Sequence, residues 1–269
     1  MFNNTFNALS KEAGFAFEIL GLGVTQIKKA NYARKGIYYQ SFINLSVGLE
    51  RLAKICILLD FYIQNNGNFP SDKVLRNIGH NIQELYNKSK EIKEFYKFKF
   101  KYLDNLDDVI HQNILRILSD FATKDRYENL NILVNAKQDN NPLSLWYKQV
   151  DLKLFEKYVS KKKQEEILNN AKIISAIMSP FSVISFSDEN DDNINTVLDG
   201  SIKTGVYEAV CKKRQLFLAQ IVRFWVELIW ELQYKAMDLG KEEIPFFNDM
   251  FGCFYNHDSY FKTIVNYEI

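Results

Sequence analysis

Four prolines, at positions 70, 142, 180 and 245, are all that punctuate a 269-residue chain, and between them apolar residues recur at helical spacing. That pattern predicts an all-α fold, a multi-helix bundle of seven or more helices. From Thr5 to Arg34 one face carries Phe6, Leu9, Ala13, Phe17, Leu20, Val24 and Ile27, with Gly21 and Gly23 placed to bend or split the helix. Tyr38–Gln64 carries Phe42, Leu45, Leu49, Leu52, Cys56 and Leu59, and Asn65-Asn66-Gly67-Asn68 supplies the turn that ends it. A short helix capped by Ser71 follows, then helices over 82–96, 103–121 and 151–178. The stretch 179–205 has no helical period. It contains the acidic run 187–193, expected as an exposed loop, and 181–186 as a short strand. Helical spacing returns strongly over 206–237, where Arg223, Glu227, Glu231 and Lys235 at steps of four suggest a salt-bridged face. The Phe- and Tyr-rich tail 245–269 is expected to pack back on the bundle. Three regions follow: a helical bundle over 1–135, a connector with the acidic loop over 136–205, and a long helix with its tail over 206–269.

Composition narrows the class. Hydrophobic residues at 47% and charged residues at 25% are ordinary for a globular protein, and a net charge of +1 leaves any electrostatic binding to local patches. Three widely spaced cysteines, Cys56, Cys211 and Cys253, form no disulfide framework, and Cys56 and Cys211 fall on apolar helix faces. A reducing, cytoplasmic location without a signal peptide is the expectation. The most apolar run, 216–230, contains Arg223 and Glu227 and is too short to span a membrane. No HExxH, Cys/His cluster, phosphate-binding glycine loop, dinucleotide fingerprint or GxSxG occurs, so neither a metal nor a cofactor is expected.

The residues best suited to chemistry lie between 50 and 127. Arg76 and His80 pair a cation that can hold a phosphate with an imidazole that can move a proton near neutral pH. The same residues also suit a helix end, where cationic side chains meet free carbonyls. Glu50 and Lys54, four apart, either stabilise their helix or line the pocket that receives His80. Arg126 and Tyr127 either contact a phosphate and a base or anchor a loop. Lysines alternate with Phe and Tyr over 88–101, a pattern shared by single-stranded nucleic-acid faces and solvated helix ends.

These motifs resemble, in their order, the HEPN superfamily. Gly36-Ile-Tyr-Tyr-Gln-Ser-Phe42, Gly48-Leu-Glu-Arg-Leu-Ala-Lys54, Pro70, Gly79-His-Asn-Ile-Gln-Glu-Leu85 and Arg126-Tyr127 carry the resemblance, which covers roughly residues 5–135. Asn81-Ile82 stands where the family's third helix commonly opens with Asp-Leu. The resemblance implies a four- or five-helix bundle, usually dimeric, with additional C-terminal helices here. It implies a prokaryotic defence or toxin-type protein that binds or cleaves RNA without a metal, or a non-catalytic module that binds a nucleotide, a partner defence protein or an antitoxin. In the nuclease version His80 is the acid/base and Arg76 stabilises the phosphate. Glu50 and Lys54 orient them, and Arg126 and Tyr127 touch substrate. The family's nuclease signature spaces Arg and His by four to six residues, whereas three separate Arg76 from His80.

Overall fold

A computed structural model describes residues 3–135 and 140–267. The expected boundary at 135/136 abuts residues 136–139, which lie outside the described residues. The fold is an all-α bundle. The first helix, α1 (Asn4–Gln26), pairs with α2 (Lys35–Gln64), and α3 (Asp72–Asn77), α4 (Ile82–Tyr96), α5 (Val109–Thr123) and α6 (Glu128–Leu133) follow. Next come α7 (Pro142–Trp146), a π-turn over Tyr147–Asp151, α8 (Leu152–Tyr158) and α9 (Lys161–Met178). A two-residue antiparallel hairpin, β1 (Phe186–Ser187) and β2 (Asn193–Ile194), leads into α10 (Val197–Met237). Two short helices, α11 (Phe247–Phe251) and α12 (Asp258–Thr263), close the chain.

The innermost element is α10. Every residue from Arg214 to Ile229 is buried, as a helix enclosed on all sides requires. The apolar core around it is one cluster running from Leu9 to Tyr267, and it draws on α1, α2, α4, α5 and the C-terminal segment. The expected tail packing is present: Phe254 stacks on Tyr267 at 5.0 Å and Trp230 on Tyr255 at 4.1 Å.

Several boundaries differ from the periodic reading, each for a local reason. The first helix runs unbroken through Gly21 and Gly23 and ends at Gln26 rather than Arg34, and its glycines are contact points. A Cβ on Gly23 would lie 2.7 Å from Leu45 Cγ, and one on Gly48 would lie 2.6 Å from Leu20 Cγ, so the two glycines let α1 and α2 approach at adjacent levels. The helix expected from 103 starts at 109. Residues 103–108 are instead irregular, with Leu106 N–H donating to Tyr86 Oη at 2.8 Å, and Asp108 caps the start at Ile110 N–H. The helix expected over 151–178 is broken at Ser160, which caps a new helix by accepting from Lys163 N–H. The last long helix begins at 197, not 206: Thr196 caps Asp199 N–H, while Gly200 and Gly205 dilute the apolar pattern there.

The charged ladder on α10 is not a ladder. Arg223 is buried and pairs with Asp258 at 2.9 Å, and buried Glu227 accepts from the backbone N–H groups of Lys101 and Tyr102. In the Lys-rich run, Lys93 likewise bonds Asp104 at 2.9 Å and lies over the Phe100 ring. The acidic loop is exposed as expected at 187 and 191–193, but Asp188 and Glu189 in the turn of the hairpin are buried, with Asp188 2.5 Å from Lys203. Of the two thiols expected inside, Cys56 is buried and Cys211 is half-exposed. Among the described residues, no helix is long and apolar enough to cross a membrane.

Candidate functional site

His80 sits between two helices because the chain must turn there. After α3 the backbone passes through Gly79 at φ +83°, a left-handed conformation that favours glycine, and α4 then starts at Asn81, whose side chain accepts from Glu84 N–H at 3.1 Å. This turn sets the imidazole against the middle of α2. His80 Nδ1 lies 2.8 Å from Glu50 Oε1, and Lys54 Nζ donates to that same oxygen at 2.8 Å. A carboxylate only accepts, so Nδ1 carries the hydrogen and Nε2 is left facing outward. Glu50 and Lys54 are mostly buried, whereas the His80 side chain is 72% exposed. The dyad is therefore anchored at its base and open at its tip.

The other expected site residues are placed less favourably. Arg76 bonds Asp72, one helical turn earlier, at 2.9 Å rather than His80, and its side chain is 79% exposed. Arg126 packs its guanidinium 5.8 Å from the centre of the Phe121 ring, and Tyr127 is exposed. The helix before them is tied to the His80 turn, where Ser119 on α5 donates to Asn81 Oδ1 at 2.8 Å. No hydrogen bond joins either to His80 among the described residues. Glu50, Lys54 and His80 thus converge, whereas no hydrogen bond or ion pair joins Arg76, Arg126 or Tyr127 to them among the described residues.

Two constellations carry no signal in the sequence. The first is a buried charge network. Arg214 donates to both oxygens of Asp151 at 2.6 Å, to Ala30 O at 2.6 Å and to Tyr38 Oη at 3.0 Å. Trp146 Nε1 also donates to Asp151, and Tyr38 Oη reaches Glu189 Oε1 at 3.4 Å. Burial pushes the Tyr38 phenol well above its ordinary range. The second is a groove of about 590 Å³ between α9 and α10, lined by residues such as Ile167, Ile174, Phe186 and Val197.

Where α6 begins, burial first, then Asp191 and Asp125, push Glu128 up to about 7 from an ordinary 4.5. The folded protein therefore holds this proton more tightly than the unfolded chain. The contribution to stability is complete below pH 4.5 and is lost as pH rises through 7. In Glu128→Gln, the fall in Tm between pH 4.5 and 8 should be smaller than in wild type, with the two proteins closest at the acidic end. Parallel Tm profiles measured by calorimetry would contradict this.

Among the described residues, no group of three or more His, Cys, Asp or Glu side chains is placed to hold a metal ion. Compared with known proteins, the chain matches no family model, no curated protein and no solved structure.

Proposed function

We propose that the chain is a HEPN-like protein that cleaves RNA by acid–base catalysis at His80. The observation that carries this reading is the single oxygen, Glu50 Oε1, that holds both His80 Nδ1 and Lys54 Nζ at 2.8 Å. A carboxylate behind an imidazole fixes its tautomer and stabilises the imidazolium that forms when Nε2 takes a proton. On RNA, Nε2 removes the 2′-hydroxyl proton, the 2′-oxygen bonds to phosphorus, and the P–O5′ bond breaks. The 5′-oxygen leaves with a proton from solvent, and the other product ends in a 2′,3′-cyclic phosphate. An exposed tip suits a polymer strand, which needs no enclosing cavity.

Arg76 is the cation nearest to this role in sequence. Its pair with Asp72 is exposed on both sides, and such pairs are worth about 0–1 kcal/mol, so exchange for a phosphate oxygen costs little. The test is incubation of purified protein with RNA in EDTA, scoring 2′,3′-cyclic ends. Their absence with wild type, or their undiminished appearance with His80→Ala, sinks the reading.

A second observation supports an interaction role through a second copy of the chain. Outward-facing apolar residues run along α9 and past it: Ile173, Ile174, Ile177 and Met178, then Phe181 at 85% and Val183 at 99% exposure. Isolated exposed apolar residues are common, but a contiguous run marks an interface, and a standard interface buries about 800 Å² on each partner. The stripe lies beside the apolar α9–α10 groove, so ridge and groove on one face complement the same pair on a symmetry mate. Sedimentation should find wild type dimeric at micromolar concentration and Ile173→Asp/Ile177→Asp monomeric with an unchanged helical spectrum. A monomeric wild type, or a dimeric variant, would contradict it.

A further inference from the structure

A smaller cleft, of about 220 Å³, forms where the end of α1, one side of α10 and the chain after α12 meet. Four lysines line it: Lys28, Lys29, Lys212 and Lys262. Its remaining lining is Tyr207, Cys211, Gln215 and the backbone-bearing run Thr263–Val265, with no carboxylate. The chain as a whole has 34 basic and 33 acidic side chains, so a cleft with four of one sign and none of the other is a local concentration of charge. None of the four lysines has a carboxylate within ion-pair distance among the described residues. Burial above all, with smaller contributions from Lys29 and Lys212, holds Lys28 below the usual lysine range against an opposing contribution from Cys211. Clustering like charges in this way disfavours the fold unless an anion offsets it.

The neutral polar groups around the cleft are already engaged. Tyr207 Oη donates to Lys28 O at 2.6 Å, Gln215 Nε2 to Val24 O at 3.3 Å, and Thr263 Oγ1 to Tyr260 O at 2.8 Å. Lys28 Nζ spends one of its three donors on Val265 O at 2.5 Å. What the cleft offers a ligand is therefore ammonium N–H, not a set of neutral donors and acceptors suited to a sugar or a base. Its volume is below the roughly 300 Å³ at which pockets for drug-sized molecules begin. Lys262 also lines an adjoining cavity of about 320 Å³ with Lys213, where Asp108 and Asp258 are engaged by Lys157 and Arg223.

We propose that this cleft binds a phosphate-bearing anion, its charge shared among Lys28, Lys29, Lys212 and Lys262. The proposal stands apart from the chemistry at His80. The phosphate is either that of a free oligophosphate or one in a nucleic-acid backbone, and the chemistry of recognition is the same.

The test titrates the full chain with tripolyphosphate, and separately with a short single-stranded RNA, at low ionic strength. The proteins are wild type, the charge-reversed pair Lys29→Glu/Lys212→Glu, and a control reversal outside the cleft, Lys161→Glu/Lys162→Glu, all at exposed positions. Charge reversal in the cleft should raise Kd at least tenfold, and the control reversal should change it less than twofold. Weakening confined to tripolyphosphate assigns a free oligophosphate, and weakening of RNA binding assigns a backbone phosphate. A wild type that binds neither probe, or a reversed pair that binds both as tightly as wild type, overturns the proposal. Ligand-dependent Tm gives the same comparison independently: tripolyphosphate should raise it in wild type and not in the reversed pair.

Discussion

Asp151→Ala is expected to destabilise the protein by about 3–5 kcal/mol, the cost of leaving a buried charge without its partner. Arg214 is 1% exposed, so water cannot take over the two 2.6 Å bonds that Asp151 supplies. The loss spreads because the network joins five parts of the chain: α10 through Arg214, the π-turn through Asp151, the α1–α2 connection through Ala30, α2 through Tyr38, and the hairpin through Glu189. Asp151 keeps Arg214 charged, raising its already high pKa despite burial. The intact pair also carries a desolvation cost, so a double replacement such as Asp151→Leu/Arg214→Met should recover much of the single-mutant loss. Urea unfolding measures both, as a shift of midpoint at constant m-value. A single-mutant loss below about 1 kcal/mol, typical of exposed ion pairs, would show that the network is not a clamp.

The second large effect is catalytic. His80→Ala should lower RNA cleavage by about 10²–10⁴-fold, the range for a general acid or base in position. The fold should tolerate it, since the exposed imidazole fills no core space. On this proposal Glu50 acts through His80, as a positioning residue. Glu50→Gln should lower kcat while leaving KM close to wild type, because the bond to Nδ1 lies behind the reacting tip. Lys54→Ala should follow the same split with a smaller loss, since Lys54 touches only the shared oxygen. If His80 were only part of a helix boundary, all three variants would cleave as wild type does.

The fold was legible in the sequence where the helical period was uninterrupted, as in α2 and α4, and the Asn65–Asn68 turn was written in its own residues. The period failed where a polar cap, not an apolar face, decides the boundary. Thr196 starts α10 ahead of two glycines, and Ser160 divides what otherwise reads as one helix. At the site, Glu50 and Lys54 were visible as an i, i+4 pair, but only the Gly79 turn brings His80, 30 positions away, onto the same oxygen. Arg76 was visible for the same reason that misled: spacing of four faces it towards Asp72 as well as His80. The buried network was invisible because Asp151 and Arg214 are 63 positions apart and neither has a distinctive neighbour. Lys28, Lys29 and Lys212 are visible in the sequence, yet nothing there says that they share a cleft.

The central claim is that His80, seated on Glu50, performs the chemistry. Its most direct measurement is single-turnover cleavage of one end-labelled RNA, in EDTA, by wild type, His80→Ala and Glu50→Gln at equal concentration. The account predicts 2′,3′-cyclic ends with wild type, a rate at least about 100-fold lower with His80→Ala, and an intermediate rate with Glu50→Gln. No cleavage by wild type, or equal rates from all three proteins, would contradict it.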